Sequence, residues 1–356
     1  MPRILIINPG STSTKLGIYE NDEIIWKENF EHSAHTEDLL TPEERVKIRA
    51  KEIEGLLSKE GFKIEEFDAI ACRGGILPPL ESGTYEVDEE MVDYLLHKTG
   101  VDHPSNLAAP IGRLLSRGNI PVYITDPVSV DEFWDEARLS GIPQIERRSL
   151  FHALNMKAVA RKVAEEMGKP LEEMNFVIAH LGGGISVGLQ VKGKMVDVNN
   201  ANDEGPFSPN RTGELPVGDV VELAFSGKYT EKELLKRYTK QGGLLAYLGT
   251  DDLRKAMKLA ANDPKAELVI EGMAYQIAKE IGGMCAVAGG NIDAIILTGS
   301  MAYNSDFVEK IKSYVARFAL VVVEPGENEL LALAEGAKRV LTGKENPKRF
   351  KVGETI

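Results

Sequence analysis

Residues 4–26, ILIINPGSTSTKLGIYENDEIIW, and residues 176–198, FVIAHLGGGISVGLQVKGKMVDV, have one layout in common. Each reads as an apolar strand, a turn of small residues, a second strand, a polar turn and a third strand. In each, the first turn carries one bulky polar side chain, Asn8 or His180, followed by glycine or hydroxyl residues. Such a turn lets backbone N–H groups come close to an anion. Two phosphate-sized turns, one in each half of the chain, predict a two-lobed machine that holds the phosphate tail of a nucleotide between its lobes. Two ordinary glycine-containing hairpins are the bland alternative.

The rest of the chain fits a duplicated fold. Its 356 residues suit two domains better than one core. Hydrophobic residues make up 43% and charged residues 27%, and no apolar run approaches the roughly 18 residues a membrane-spanning helix needs. The chain enters a strand by residue 3 without an export signal, so a cytoplasmic protein is expected. Cys72 and Cys285 sit apart in apolar surroundings, without metal-site spacing, and read as buried thiols. A net charge of −13 disfavours nucleic acid as a partner, and an anionic substrate must then be drawn in by a few placed Lys and Arg side chains.

Thr41-Pro42-Glu43-Glu44 combines a capping hydroxyl, a first-turn proline and a capping-box glutamate, and predicts a helix whose inner face carries Val46, Ala50, Ile53, Leu56 and Leu57. Residues 68–72 and 120–125 read as buried strands that end at Arg73-Gly74-Gly75 and at Asp126. Strand ends are where open α/β sheets place chemistry. Helices are expected over 151–168 and 266–290, and 205–219 reads as a long loop with no period. Ser305 is placed to cap the helix after the strand and Gly-Ser turn of 292–305.

Ten strings in a fixed order carry a resemblance over essentially the whole chain. Among them are NPGSTSTK at 8–15, RGG at 73–75, HPSN at 103–106, RRSLFHALN at 147–155, HLGGG at 180–184, NNANDEGPFSPNRTGELP at 199–216 and PGENELLALAEGA at 325–337. Together they resemble the acetate and sugar kinase, Hsp70 and actin superfamily, and more closely its short-chain fatty acid kinases. The resemblance implies an actin-like ATPase fold, α/β, with a ribonuclease H-like domain duplicated. An N-terminal lobe over 1–150, completed by a C-terminal helix over 329–356, and a nucleotide-binding lobe over 151–328 are expected. It departs from acetate kinases where Arg73 directly abuts Gly74, and from related kinases where Ser300 follows Gly299 in place of a second glycine.

The implied reaction is transfer of the ATP γ-phosphoryl group to butyrate or a branched relative, with acetate or propionate as the alternative acceptor. A carboxylate is already ionised at neutral pH and needs no general base. The reaction needs charge cancellation and in-line geometry. Arg211 and Arg73 are the candidate cations for the carboxylate and the transferring group, because a guanidinium can bridge two anions. By resemblance His152 donates to an equatorial phosphoryl oxygen, and Asp126 orients His152, an arginine or a metal-bound water. Lys15 reaches a terminal phosphate, and Gly182, Gly183 and Gly184 present backbone amides to phosphates. Asp252, Arg254, Gly299, Ser300 and Tyr303 line the adenosine side. Mg²⁺ is expected on Asn8 and Glu329, with Glu327 as a near competitor. Each has a plainer reading: a surface lysine, a tight turn, a helix cap at Asp126, a helix-terminal acid at Glu329. A homo-oligomer is expected. A nucleotide-driven binding protein of the Hsp70 or actin type is the competing class, disfavoured because the sequence ends at Ile356 soon after its final helix.

Overall fold

The computed structural model describes residues 1–10, 13–32 and 40–353. Ser11 and Thr12, within the first phosphate-type turn, and the end of the expected 329–356 helix lie outside the described residues. The chain forms two units: 1–131 with 328–356, and 132–327. The expected first boundary, after residue 150, moves back to 131. Residues 132–150 belong with the second unit because Trp134 N–H donates to the Val196 carbonyl and Arg147 ion-pairs with Asp197 and Glu204.

The first unit carries a seven-stranded sheet. β1 (Ile4–Pro9), β2 (Ser13–Glu20) and β3 (Glu23–Glu31) pair antiparallel in succession, and β4 (Ala69–Cys72) pairs parallel to β1. β5 (Thr84–Glu86), β6 (Val122–Thr125) and the short β12 (Lys348–Arg349) complete the order β12-β5-β6-β4-β1-β2-β3. The second unit repeats the plan with β7 (Asn175–Leu181), β8 (Ile185–Val191), β9 (Lys194–Val198), β10 (Ala294–Gly299) and β11 (Leu320–Pro325), ordered β11-β10-β7-β8-β9. The shared core of both sheets, two antiparallel hairpins followed by parallel strands, is the duplication legible in residues 4–26 and 176–198. Asn8 and His180 are the next-to-last residues of β1 and β7, so they stand at strand ends and not in the turns themselves.

Every residue of β1, β4 and β6 is buried, as expected of strands covered on both faces. In the first unit α1 (Pro42–Lys59) starts at Thr41 with the full capping box. Its buried side carries Val46, Arg49, Ala50, Ile53 and Leu57, so a buried Arg49 stands where only apolar residues are expected. α2 (Ala108–Ser116) packs on β4 and β6. In the second unit α3 (Ala153–Glu166) packs on β7 and β10, and α4 (Pro264–Val287) packs on β7 and β8. α5 (Ser305–Val315) is capped by Asn304, whose side chain accepts from Phe307 N–H; Ser305, the expected cap, is the first helical residue instead. α6 (Glu329–Leu341) packs on β1, β4 and β6 of the first unit. It ends well short of the expected 329–356 helix, because Gly343 takes a left-handed φ of 71° and Pro347 forbids continuation before β12. Both cysteines are buried free thiols. Among the described residues no helix is long and apolar enough to cross a membrane.

Candidate active site

In the first unit the chemistry gathers at the carboxyl ends of β1 and β4. Asn8 and Lys15 face each other across the β1–β2 ladder, and Arg73 N–H donates to the Ile7 carbonyl at 2.9 Å, which sets Arg73 beside them. The first turn of α6 brings Glu329 to the same place. Asn8 Nδ2 donates to Glu329 Oε2 at 2.8 Å, and Arg73 ion-pairs with Oε1 of the same carboxylate. Burial pushes the Glu329 carboxyl up, but the Arg73 charge, with hydrogen bonds from Arg73 and Asn8 and the nearby Lys15, outweighs it and holds the group below the usual carboxylate range. Two expectations therefore meet in one cluster, the arginine meant for anions and the carboxylate meant for a metal.

Asp126, 1% exposed and at a left-handed φ of 40°, directly follows β6. Its Oδ1 accepts from Ser82 Oγ and Gly83 N–H, both at 2.8 Å, so it closes the turn before β5 and does not cap a helix. The HPSN string supports the Arg73 turn. Asn106 Oδ1 accepts from Ile76 N–H at 2.8 Å, and His103 Nδ1 bonds Ser105 Oγ at 2.6 Å. Burial, then the Arg73 charge, push the His103 imidazole down from its ordinary pKa.

In the second unit His152, just before α3, stacks on His180 with ring centroids 3.8 Å apart and planes 9° from parallel. His152 Nδ1 bonds Ser186 Oγ at 2.9 Å, across the hairpin from His180 in the β7–β8 register. His180 Nδ1 lies 2.8 Å from Asn155 Oδ1, while Asn155 Nδ2 donates to the Gly326 and Glu327 carbonyls. An amide oxygen only accepts, so this network places a proton on His180 Nδ1. Nε2 of His180 faces Glu327 Oε1 at 3.6 Å. Glu327 thus lies with the histidine pair, and Glu329 with Asn8.

Arg211 lies against the glycine turn. A Cβ on Gly184 would sit 2.4 Å from Arg211 Nη1, so only glycine leaves room for this guanidinium. Nη1 donates to the Ala201 carbonyl at 2.8 Å, Nε is buried with no hydrogen-bond partner, and no carboxylate pairs with Arg211 among the described residues. Burial alone pushes its pKa down. Ser208 Oγ donates to the Gly183 carbonyl at 2.5 Å and accepts from Arg211 N–H at 3.2 Å, tying the loop to the turn.

Residues 141–352 match the acetokinase family. The chain is 56% identical over 355 residues, 99% of each protein, to a probable butyrate kinase of Thermotoga petrophila. The chain belongs to the acetokinase family. It is also 55% identical over 347 residues, 97% of each, to probable butyrate kinase 1 of Thermotoga maritima. The crystal structure of Porphyromonas gingivalis acetate kinase superposes with a TM-score of 0.80 over 95% of this chain and 99% of that one, at 18% identity, which shows a common fold. As an acetokinase the chain is a phosphotransferase with a carboxyl group as acceptor.

The remaining expected residues of this acetokinase divide by what holds them. Gly299 has φ +90°, and a Cβ there would fall 2.4 Å from the Leu181 carbonyl oxygen; it exchanges backbone hydrogen bonds with Gly326. Ser300 opens a 3-10 turn that ends at Tyr303, whose side chain is 71% exposed. Asp252 caps the helix Leu253–Ala260 by accepting from Arg254 N–H, and the Arg254 side chain returns two hydrogen bonds. Those bonds to Arg254 hold the Asp252 carboxyl at about 2. A helix cap accounts for this pair without a ligand. Ser186, Asn155, Asn106 and Arg49 were not singled out as site residues. Asn155 and Asn106 lie inside quoted strings, and Ser186 could have been found by counting the hairpin register back from His180.

Proposed function

We propose that this acetokinase phosphorylates butyrate or a branched short-chain relative with ATP and Mg²⁺, reversibly and by direct in-line transfer. A carboxylate oxygen of the acid bonds to the γ-phosphorus as the bond from that phosphorus to the β,γ-bridging oxygen breaks, leaving ADP and an acyl phosphate. No proton is transferred, because the acid is ionised at neutral pH. The observation that carries this reading is Arg211: a guanidinium partly withdrawn from water, with a buried Nε left unsatisfied and no carboxylate partner among the described residues. A partly buried cation with no counter-charge is costly unless an anion is its partner in use, and two anions must meet in this reaction. Arg211 screens the acid from the phosphoryl group, and the Gly182–Gly184 turn offers backbone amides to the phosphates.

His152, its ring held by Ser186 and His180, donates to a phosphoryl oxygen. Arg73 receives the acid's carboxylate. Asn8 and Glu329, joined by the Asn8 Nδ2 hydrogen bond to Glu329 Oε2, would hold Mg²⁺ through the Asn8 amide oxygen and a Glu329 carboxylate oxygen; two such ligands are too few for an all-protein cage and suit an ion that keeps waters and phosphate oxygens. Bound there, the ion supplies charge neutralisation for the phosphates. Lys15, on the same face, adds a second positive charge. The buried free thiols support a cytoplasmic setting.

Hydroxylamine trapping of the acyl phosphate, run with a panel of straight and branched acids, ATP and Mg²⁺, tests the reading. Butyrate or isobutyrate is expected to give the highest kcat/KM. Acetate or propionate in first place would move the chain to the alternative substrate, and no hydroxamate from any acid would overturn the proposal.

A further inference from the structure

Thr14 and Lys15 are neighbours on β2 and point to opposite faces of the sheet: Lys15 is exposed, and Thr14 is completely buried. The Thr14 hydroxyl oxygen lies 2.7 Å from His32 Nε2, and His32 Nδ1 lies 3.1 Å from Glu52 Oε2 of α1. The hairpin register explains the first contact. Thr14 stands opposite Phe30 across β2 and β3, so His32, two residues further on, is its diagonal neighbour on the same face. Phe30 meets the His32 ring edge-on, with centroids 4.9 Å apart, and restrains its plane. A carboxylate only accepts hydrogen bonds, so the network assigns a proton to His32 Nδ1, and Nε2 of the neutral ring accepts from the Thr14 hydroxyl.

The same helix holds the other end of the first phosphate-type turn. Arg49, three residues before Glu52 and so on the same side of α1, is 2% exposed and donates from Nη1 to the Gly10 carbonyl at 3.3 Å. Gly10 N–H donates in turn to the Ser13 carbonyl at 2.7 Å. The sequence makes such anchors necessary. Pro9, opposite Thr14, has no N–H to give to the β1–β2 ladder, and Gly10 loses more conformational freedom on ordering than any other residue type would. Backbone pairing alone therefore holds this turn weakly. Packing by itself would be served by apolar residues, without the cost of taking an imidazole and a guanidinium out of water. What the two polar anchors add is a fixed direction at each end of the turn, and Lys15, which faces Asn8 across the ladder, is the residue after the anchored Thr14.

We propose that His32 is a positioning residue for phosphate recognition: it bridges Glu52 to Thr14 while Arg49 holds Gly10, and so sets Lys15 and Asn8 to meet the phosphates of the nucleotide. It acts through Thr14 and does not itself touch the nucleotide. This role rests on the phosphate contact proposed for Lys15.

Thr14 differs from valine by the one oxygen that His32 binds, which makes Thr14→Val the decisive variant. Calorimetric titration of the full chain with ATP and Mg²⁺, without acid, reads nucleotide binding, and hydroxylamine trapping reads turnover. Thr14→Val should raise the Kd and the KM for ATP about tenfold or more while the KM for the acid stays within about twofold of wild type. Thr14→Ser keeps the hydroxyl and should stay near wild type. His32→Leu should match Thr14→Val, and the two together should cost no more than either alone, because each removes the same bond. Should Thr14→Val fail to fold, Glu52→Ala carries the test at a side chain that is 41% exposed, with a severalfold rise in Kd expected. A folded Thr14→Val chain with wild-type Kd and KM for ATP overturns the role, whatever its melting temperature, as does a KM for the acid raised in step with that for ATP. Lys15→Ala separates this role from the reading beneath it. A Kd raised by Lys15→Ala and not by Thr14→Val removes the positioning role alone, whereas an unchanged Kd in Lys15→Ala removes the phosphate contact and the positioning role with it.

Discussion

Arg211 is the residue whose environment makes least sense without a ligand. Its Nη1 donates to one carbonyl, Nε is orphaned, and Gly184 is bare to make room for it. Arg211→Ala is expected to lower kcat/KM by several orders of magnitude, since arginines acting on a transferring phosphoryl group are worth about 10³–10⁵ in rate. Arg211→Lys should recover a minor part, because an ammonium restores charge without the planar fork. Steady-state kinetics with melting temperatures check both, and a folded Arg211→Ala enzyme within about tenfold of wild type would leave Arg73 as the principal cation. Glu329 gives a second prediction, with its sign fixed by linkage. Its carboxyl is held down in the fold by Arg73 and Asn8, so the stability it contributes is present above the ordinary glutamate value of about 4.3 and is lost as pH falls through the lower folded value. Glu329→Gln should therefore flatten the acid limb of melting temperature against pH below about 4, and raise the Mg²⁺ needed for half-maximal rate. A variant with the wild-type acid limb would show that Glu329 is not the group held down. These residues could be named from motif strings, but their pairing could not. Nothing in NPGSTSTK, RGG and PGENE says that Arg73 and Asn8 share one carboxylate from a helix more than 250 positions away.

At the scale of elements, capping chemistry was the most readable signal. Thr41 with Glu44 specifies α1 from four residues, and the structure has both halves of the box. The same logic recasts Asp252. As a cap it accepts from Arg254 N–H, and asparagine serves that function about as well as aspartate. Asp252→Asn should leave stability and the KM for ATP near wild type, whereas Asp252→Ala should cost about 1 kcal/mol. Thermal unfolding and ATP titration separate the cases: a KM raised severalfold by asparagine alone would return Asp252 to the adenosine side. Other elements were hidden because their signal is not periodic. The first turn of the helix Val217–Phe225 falls at the end of the Gly/Pro-rich run 205–219, and only Asp219 and Glu222 mark a polar side, so 217–219 read as loop. Arg49 was missed for the opposite reason. It occupies the inner face of α1, where its guanidinium donates to the Gly10 carbonyl beside the first turn, and a periodic scan counts any arginine as outside.

At the scale of the whole molecule, the duplication was legible because two hairpins of one layout recur, and both sheets carry the same antiparallel-then-parallel core. The domain boundary was not, since residues 132–150 have no strong pattern and are assigned by Arg147 and Trp134 contacts that only the fold reveals. Substrate choice is the property that neither layout nor boundary decides, because the acetate kinase of Porphyromonas gingivalis has the same fold at 18% identity. Relatives named as probable butyrate kinases share more than half of this sequence over nearly all of it, and the acceptor proposed for this chain is a four-carbon acid. Each methylene of the acid that leaves water on binding contributes roughly 0.8 kcal/mol. Two more carbons than acetate are then worth about 1.6 kcal/mol, or roughly tenfold in kcat/KM, if both are buried in the transition state. The gain should appear mainly in KM, because the reacting carboxylate is the same in every acid and chain burial is felt equally by ground and transition states. Measuring kcat and KM for acetate, propionate, butyrate, isobutyrate and valerate at saturating ATP and Mg²⁺ decides the point. A plot of log kcat/KM that climbs from two carbons to four and then levels or falls marks an aliphatic pocket of that length, and one that falls from acetate onward would make this chain an acetate kinase.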